Sequence, residues 1–173
     1  DFATGFEPEP HHLLMEGDID LLITTSDLPL DGISYQPLFE YESRLVLSPT
    51  HDLATQEFIE PNDLVNETLI AYPVEAKRLD IIANFMTPSD VSFADIRTTE
   101  LTAMLIQLVA SERGVAALPD WVVSEYEKKG WVVSRPLGDG VYCQLYAATR
   151  TSSQDTAYMQ GFASLLDGIV KPL

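Results

Sequence analysis

The sequence predicts an α/β fold with largely parallel sheets. Short apolar runs alternate with segments in which apolar residues recur at helical spacing, a pattern typical of strands connected by helices. Glycine and proline residues separate these segments, as expected of turns between elements. With 173 residues, the chain is long enough for one domain or for two small lobes that each bury a core.

One helix and several strands are predicted in the first half of the chain. The helix covers about residues 9–16 and stops at Gly17. Strands are predicted at residues 19–23, 33–41, 44–47 and 68–72. We expect Pro37 to interrupt the second strand. A single helical turn is predicted at residues 60–64, and apolar residues return at helical spacing over residues 79–86.

The second half alternates more regularly between strand and helix. Residues 101–113 are apolar on most faces and predict a buried helix that ends at Gly114, and a further helix covers about residues 121–129. Strands are predicted at residues 91–98, 115–118, 131–134 and 143–149. We expect a Gly-Asp-Gly turn at residues 138–140 to join the last two strands. A final helix is predicted over residues 158–169.

Charge and composition exclude several classes of function. Ten basic residues stand against 27 acidic ones, so the net charge is −17 and the surface should repel the phosphates of nucleic acids. No apolar run reaches the roughly 20 residues that span a bilayer, and the start does not resemble a signal peptide. We therefore expect a cytoplasmic protein that makes no contact with a membrane. The one cysteine, Cys143, lies in an apolar run and is expected to be a small core residue or a half-buried one.

No constellation for catalysis, a cofactor or a metal stands out in the sequence. The nucleophile-elbow, P-loop and dinucleotide-binding glycine motifs are all absent, and the many carboxylates are adequately explained as an acidic surface. His11 and His12 are adjacent on a predicted helix, so their side chains point apart and are poorly placed to chelate a metal. The sequence therefore favours a protein that is not an enzyme and carries no cofactor.

Two segments, in this order, carry a resemblance to a known family. The first is residues 16–23 (EGDIDLLI), followed by Thr24, Thr25 and Ser26, and the second is residues 108–119 (LVASERGVAALP). Together they resemble the regulatory domain of LysR-type transcriptional regulators. Residues 44–53 resemble a further family element, with Asp52 where a proline is usual.

Other stretches narrow the resemblance within the family. Residues 39–47, 72–74 and 116–123 are similar to the members that regulate methionine biosynthesis. The resemblance implies homocysteine as the effector and methionine-pathway promoters as targets. It also implies that DNA is read by an N-terminal helix-turn-helix domain that lies outside this chain.

The resemblance implies a type II periplasmic-binding-protein-like fold. Two α/β lobes are joined by two crossover segments, and the effector binds in the cleft between them. Lobe one is expected at residues 1–38 plus 151–173, apparently without its first βα unit, and lobe two at residues 39–150. The resemblance further implies a homodimer or tetramer. Leu13, Leu14 and Met15 and the apolar face of residues 158–169 are candidates for that interface, unless both faces close their own lobe.

Three consecutive hydroxyl residues are the first candidates for binding the effector. Thr24, Thr25 and Ser26 directly follow a predicted buried strand, and ligands of open α/β sheets bind beyond the carboxyl ends of strands. Hydroxyl groups donate to a carboxylate and accept from an ammonium group, which suits an amino-acid ligand. The alternative is a turn in which the hydroxyls bond local backbone groups.

Four further residues are candidates in the second predicted lobe. Thr99 and Glu100 precede the buried helix, whose N-terminus is suited to a carboxylate, although Thr99 is equally suited to capping that helix. Arg78 is suited to a bidentate pair with a carboxylate, the alternative being a surface ion pair with Asp80 or Glu75. Tyr72 ends a strand and is either a wall of the cleft or a packing residue.

Two other classes of function share this fold. A solute-binding protein of a transporter is the principal alternative to a regulator, and an upstream signal peptide would favour it over an upstream helix-turn-helix. An enzyme on the same two-lobed scaffold is the third class, and the missing catalytic constellation argues against it.

Overall fold

The computed structural model describes residues 10–153 together with residues 156, 160 and 161. Its helices and strands, in chain order, are α1 (Pro10–Glu16), β1 (Leu21–Thr24), β2 (Ile33–Leu47), β3 (Thr68–Ala71), β4 (Asp95–Thr98), α2 (Thr102–Ala110), β5 (Ala116–Pro119), α3 (Asp120–Glu127) and β6 (Val133–Arg150). The helical segment predicted at residues 79–86 contains a π-helical turn at Ile82–Met86. The predicted helix at 158–169 lies outside the described residues, apart from Gln160 and Gly161.

The described residues form two compact units. Unit 1 comprises residues 41–142, and unit 2 comprises residues 10–40 and those from 143 onward. The chain passes between the units twice, within β2 and again within β6. Two crossing segments are therefore present, as the resemblance implied. The unit boundaries follow residues 40 and 142, where we expected them after residues 38 and 150.

The strands form mixed sheets. β1, β6, β2 and β5 lie in that order in a four-stranded sheet, and β3 and β4 form a separate pair. β1 is antiparallel to β6, β2 is antiparallel to β5, and β3 is parallel to β4. The prediction of largely parallel sheets was therefore wrong. Apolar runs indicate which segments are buried, but the direction of pairing depends on how distant segments meet.

Two predicted interruptions are absent, because β2 and β6 are single long strands. β2 continues through Pro37, which is exposed and keeps an extended conformation. A proline is compatible with a strand wherever its missing N–H has no partner to bond. β6 continues through Gly138 and Gly140, whose φ angles are 55° and 108°. These conformations bend a strand locally, so the glycines allow β6 to continue where we expected it to reverse.

Each unit has its own apolar core. In unit 1 one cluster of buried residues comes from β2, β3, α2, β5 and α3 and from the residue before β6. Its members are Val46, Ile70, Leu105, Ile106, Val109, Ala116, Leu118, Val123 and Val132. In unit 2 a smaller cluster joins Leu14 of α1 to Ile33 and Ala148 on the strands. Burying one such aliphatic side chain stabilises the fold by about 1.5–3 kcal/mol. These cores hold the ends of β1, β3 and β4, where the candidate site residues lie.

Candidate functional site

Unit 1 brings two candidate residues, Tyr72 and Thr99, to the end of the β3–β4 pair. The two strands are parallel and end together, with Ala71 opposite Thr98. Thr99 then donates its backbone N–H to the carbonyl oxygen of Ala71 at 2.9 Å. The Tyr72 hydroxyl lies 2.7 Å from the Thr102 hydroxyl at the first residue of α2. Thr99 therefore precedes a buried helix, as the sequence predicted, and the structure also brings Tyr72 to the N-terminus of that helix.

Of the two roles that the sequence left open for Tyr72, packing is the one that the contacts of its side chain display. Its half-buried ring packs against the core of unit 1, and its hydroxyl bonds Thr102. Packing therefore fixes the ring, while the phenol oxygen stays at the edge where β3 ends. Such a hydroxyl is held in place before a ligand arrives, which reduces the entropy cost of binding.

The N-terminus of α2 is not capped in the way considered for Thr99. The capping residue is Leu101, whose side chain cannot cap, and the first turn contains no acidic residue. The capping interpretation of Thr99 was therefore wrong. Glu100 is exposed, and Thr99 is half-buried. The N–H groups in the first turn of a helix carry partial positive charge, so this end of α2 is suited to a carboxylate.

Arg78 lies in an exposed turn, and each of the two carboxylates proposed as its ion-pair partners also has another contact. Glu75 forms an ion pair with Lys77 at 2.8 Å. Asp80 accepts a hydrogen bond from the Tyr41 hydroxyl at 2.9 Å. The pKa of Glu75 is lowered mainly by its hydrogen bond to Lys77 and by that lysine's charge, and the charge of Arg78 adds a smaller effect. Arg78 as a whole residue is exposed.

The hydroxyl trio lies in unit 2, at the end of β1. Thr24 is the last residue of the strand, opposite Tyr146 of β6. Its hydroxyl oxygen accepts a hydrogen bond from the backbone N–H of Ser26 at 3.1 Å, so the local turn considered above is present. Thr25 is exposed and Ser26 is half-buried. The turn therefore engages Thr24 locally and presents Thr25 to solvent.

Sequence reasoning missed a cluster beside this turn. Tyr146 donates a hydrogen bond to the Asp27 carboxylate, and its ring meets that of Tyr35 edge-on at 6.4 Å between centroids. Burial raises the pKa of Tyr146 and of Tyr35, and the Asp27 carboxylate raises both further. Asp27 follows the hydroxyl trio directly and was within reach of sequence analysis. The two tyrosines come from distant segments, so no local pattern connects them.

The remaining predicted features are located as follows. Cys143 is buried, as expected. The Nδ1 atom of His12 lies 3.2 Å from a carboxylate oxygen of Glu16 in the same helix. The ring centroids of His11 and Tyr35 lie 6.1 Å apart. Within the described ranges, no group of three or more side chains is placed to hold a metal ion. None of the helices described here is long and apolar enough to cross a membrane.

Comparison with known proteins assigns the chain to a family. The family described as LysR substrate binding domain matches residues 1–168. The chain belongs to this family. Among its relatives, the HTH-type transcriptional regulator MetR of Escherichia coli (strain K12) is 43% identical over 162 residues, covering 94% of this chain and 51% of that protein. MetR of Haemophilus influenzae is 36% identical over 163 residues, covering 94% of this chain and 52% of that protein. The chain thus spans about half the length of these curated relatives.

Solved structures of LysR-family domains resemble this chain over nearly all of its length. The regulatory domain of MetR, a LysR family regulator from Neisseria meningitidis, has a TM-score of 0.86 and 41% identity, covering 96% of this chain and 77% of that one. The effector binding domain of QuiR in complex with shikimate has a TM-score of 0.80 and 17% identity, covering 98% of this chain and 80% of that one. At this identity the similarity supports the fold alone. The chain is therefore the effector-binding domain of a MetR-type LysR regulator, with a type II periplasmic-binding-protein-like fold.

Proposed function

We propose that this LysR-family domain binds homocysteine and that the complete regulator thereby controls methionine-pathway genes. The observation that carries the proposal is the 43% identity to MetR over 94% of the chain. The relatives are transcriptional regulators, which favours a sensor over a transport protein or an enzyme. DNA would be read by a separate N-terminal domain, because the net charge of −17 leaves this chain without a basic surface.

The groups observed at the strand ends suit an amino-acid effector. The N-terminus of α2 and the hydroxyls of Tyr72 and Thr99 can donate to a carboxylate, and Arg78 adds a guanidinium on a neighbouring turn. The effector-contacting residues that we propose are Thr24, Thr25, Ser26, Tyr72, Arg78, Thr99 and Glu100.

The proposal includes a cytoplasmic homodimer or tetramer, as is typical of LysR regulators. Of the candidate interface residues in α1, Leu14 is fully buried within unit 2, whereas the side chain of Met15 is half exposed. Met15 is thus the better candidate for contacts between subunits, and Leu14 contributes to the core instead. The other candidate face, residues 158–169, lies almost entirely outside the described residues.

Calorimetric titration of the full-length protein tests the effector. We expect saturable binding of L-homocysteine and much weaker binding of methionine and cysteine. Thr25→Ala and Arg78→Ala should each weaken the affinity by roughly tenfold, the effect of losing one hydrogen bond to a charged group. Lys77→Ala is the matched control, because it removes a positive charge from the same turn. If homocysteine does not bind, the proposed identity of the effector is wrong, whereas the family assignment is unaffected.

A second titration tests whether binding of homocysteine is coupled to binding of DNA. An effector changes DNA binding only if it binds the two states of the regulator with different affinities. We therefore expect the homocysteine affinity of the full-length protein to change when promoter DNA is added. Equal affinity in the two titrations would contradict the sensing part of the proposal.

A further inference from the structure

One face of the strands in unit 2 changes from apolar to polar along its length. Side chains two residues apart on a strand point to the same face, so Ile33 and Tyr35 share a face of β2, and Ala148 and Tyr146 share a face of β6. Ile33 and Ala148 pack with Leu14 in the core of unit 2. Tyr35 and Tyr146 extend the same face toward the end of β1. A polar cluster therefore adjoins the apolar core at the end where β1 stops.

The Tyr35 hydroxyl is the unusual atom of this cluster. It is buried, yet it has no hydrogen-bond partner among the described residues. A buried hydroxyl without a partner costs roughly 1–3 kcal/mol, and such groups are rare in folded proteins. The loop at residues 25–32, which forms neither helix nor strand, places Asp27 close enough for its charge to act on the phenols of both Tyr35 and Tyr146. A ligand that donates a hydrogen bond would supply what the Tyr35 oxygen lacks.

The charges of the cluster favour a ligand with a positive charge. Asp27 is exposed, so its carboxylate is accessible from solvent and repels anions. Carboxylate and phenol oxygens both accept hydrogen bonds, and the faces of the two aromatic rings attract cations. The net charge of −17 adds a field that favours cations near the whole surface.

We propose that Asp27, Tyr35 and Tyr146 form a subsite for a protonated primary amine. Its ammonium group would donate to the Asp27 carboxylate and to the Tyr35 oxygen, while Tyr146 keeps the carboxylate in position through its own hydrogen bond. Naming this amine as the α-ammonium group of the effector rests on the proposed function. The subsite itself does not depend on that identity.

Nuclear magnetic resonance of the full-length protein with labelled tyrosine rings tests the subsite. The probes are L-homocysteine, its des-amino analogue 4-sulfanylbutanoate and n-propylammonium chloride, with sodium chloride at matched ionic strength as the reference. We expect both amines to shift the Tyr35 and Tyr146 signals and the des-amino analogue to bind at least about tenfold more weakly than homocysteine. Asp27→Asn should abolish the propylammonium shifts, and Tyr35→Phe should weaken them several-fold. Asp31→Asn, which removes one exposed carboxylate from the same loop, should change neither.

The outcomes separate this subsite from the proposed effector. If homocysteine and its des-amino analogue bind equally and Asp27→Asn changes nothing, the subsite is overturned while the effector stands. If only propylammonium produces shifts that depend on Asp27, the subsite stands but does not hold the ammonium group of homocysteine. If neither amine shifts the tyrosine signals, the subsite is overturned, and the calorimetric titration alone decides whether homocysteine is the effector. A thermal melt of each variant checks that the fold is unchanged.

Discussion

Single side chains tie together segments that are far apart in this sequence, and Arg150 is the clearest case. Its guanidinium donates to the backbone carbonyl oxygens of Leu14 and Ile19, each at 2.7 Å, and to the Asp20 carboxylate at 2.9 Å. Only 19% of the side chain is exposed. The planar guanidinium thus joins the last residue of β6 to both ends of the connection between α1 and β1, a geometry that the ammonium group of lysine does not reproduce.

Arg150→Lys should therefore destabilise the protein although it keeps the positive charge. We expect the free energy of unfolding to fall by about 1–3 kcal/mol, because buried carbonyl oxygens lose their donors. Chemical denaturation measures the change as a lower midpoint with an unchanged slope. Arg97→Lys is the control, because Arg97 forms an exposed ion pair with Asp95, and such pairs contribute about 0–1 kcal/mol. Equal losses in the two variants would contradict the role of Arg150.

At the scale of elements, the connection between α2 and β5 depends on a close backbone approach. Gly114 has φ of 150°, and a Cβ atom added there would lie 2.3 Å from the backbone carbonyl oxygen of Thr68. That oxygen accepts a hydrogen bond from the N–H of Val115 at 2.9 Å, and Val115 in turn accepts one from Ile70 at 2.7 Å. The LysR-family segment at residues 108–119 thus needs its glycine so that the chain leaving α2 can contact β3.

Gly114→Ala tests this requirement. The expected loss is about 2–4 kcal/mol of unfolding free energy, because backbone strain and a clash with backbone act together. Gly130→Ala is the matched control, since Gly130 has φ of 68° but a Cβ there would meet nothing within 4 Å. It should cost only about 1 kcal/mol, the strain of a left-handed conformation. Thermal or chemical unfolding measures the loss of unfolding free energy in each variant. Similar losses in the two variants would show that the close backbone approach at Gly114 does not require a glycine.

At the scale of the whole molecule, the negative net charge opposes binding of DNA by this chain. The 27 acidic residues exceed the ten basic ones, so the field of the chain opposes any approach to a polyphosphate. Phosphate neutralisation by lysine and arginine supplies most of the affinity of nonspecific DNA binding. The proposed regulatory function therefore requires DNA contacts that this chain does not supply.

The 173-residue chain alone should not retard promoter DNA in a gel-shift assay at physiological salt, whether or not homocysteine is present. The full-length regulator serves as the positive control and should bind the same fragment. Salt-dependent binding by the chain alone would contradict this expectation, because it would require a basic surface that the composition does not provide.

The sequence by itself determined the family, the α/β class and most element positions. α1, β1, β3, α2, β5 and α3 lie within a few residues of their predicted places, because helix and strand periodicity and glycine or proline stops act locally. The two family segments identified the LysR domain. The first contains β1 and the turn after it, and the second runs from the end of α2 through a turn into β5. Burial of Cys143 likewise followed from its apolar neighbours.

Only the tertiary structure decided which distant groups meet. The continuity of β2 through Pro37 and of β6 through Gly138 depends on partner strands, which override the local tendency of these residues to interrupt a strand. Leu101 is the N-cap residue of α2, where Thr99 was considered, and Tyr72 acquires both its packing and its bond to Thr102 from segments elsewhere in the chain. Asp27, Tyr35 and Tyr146 form a cluster for the same reason. A periodic pattern records which face of an element is buried, whereas a contact between distant side chains exists only once the strands have paired.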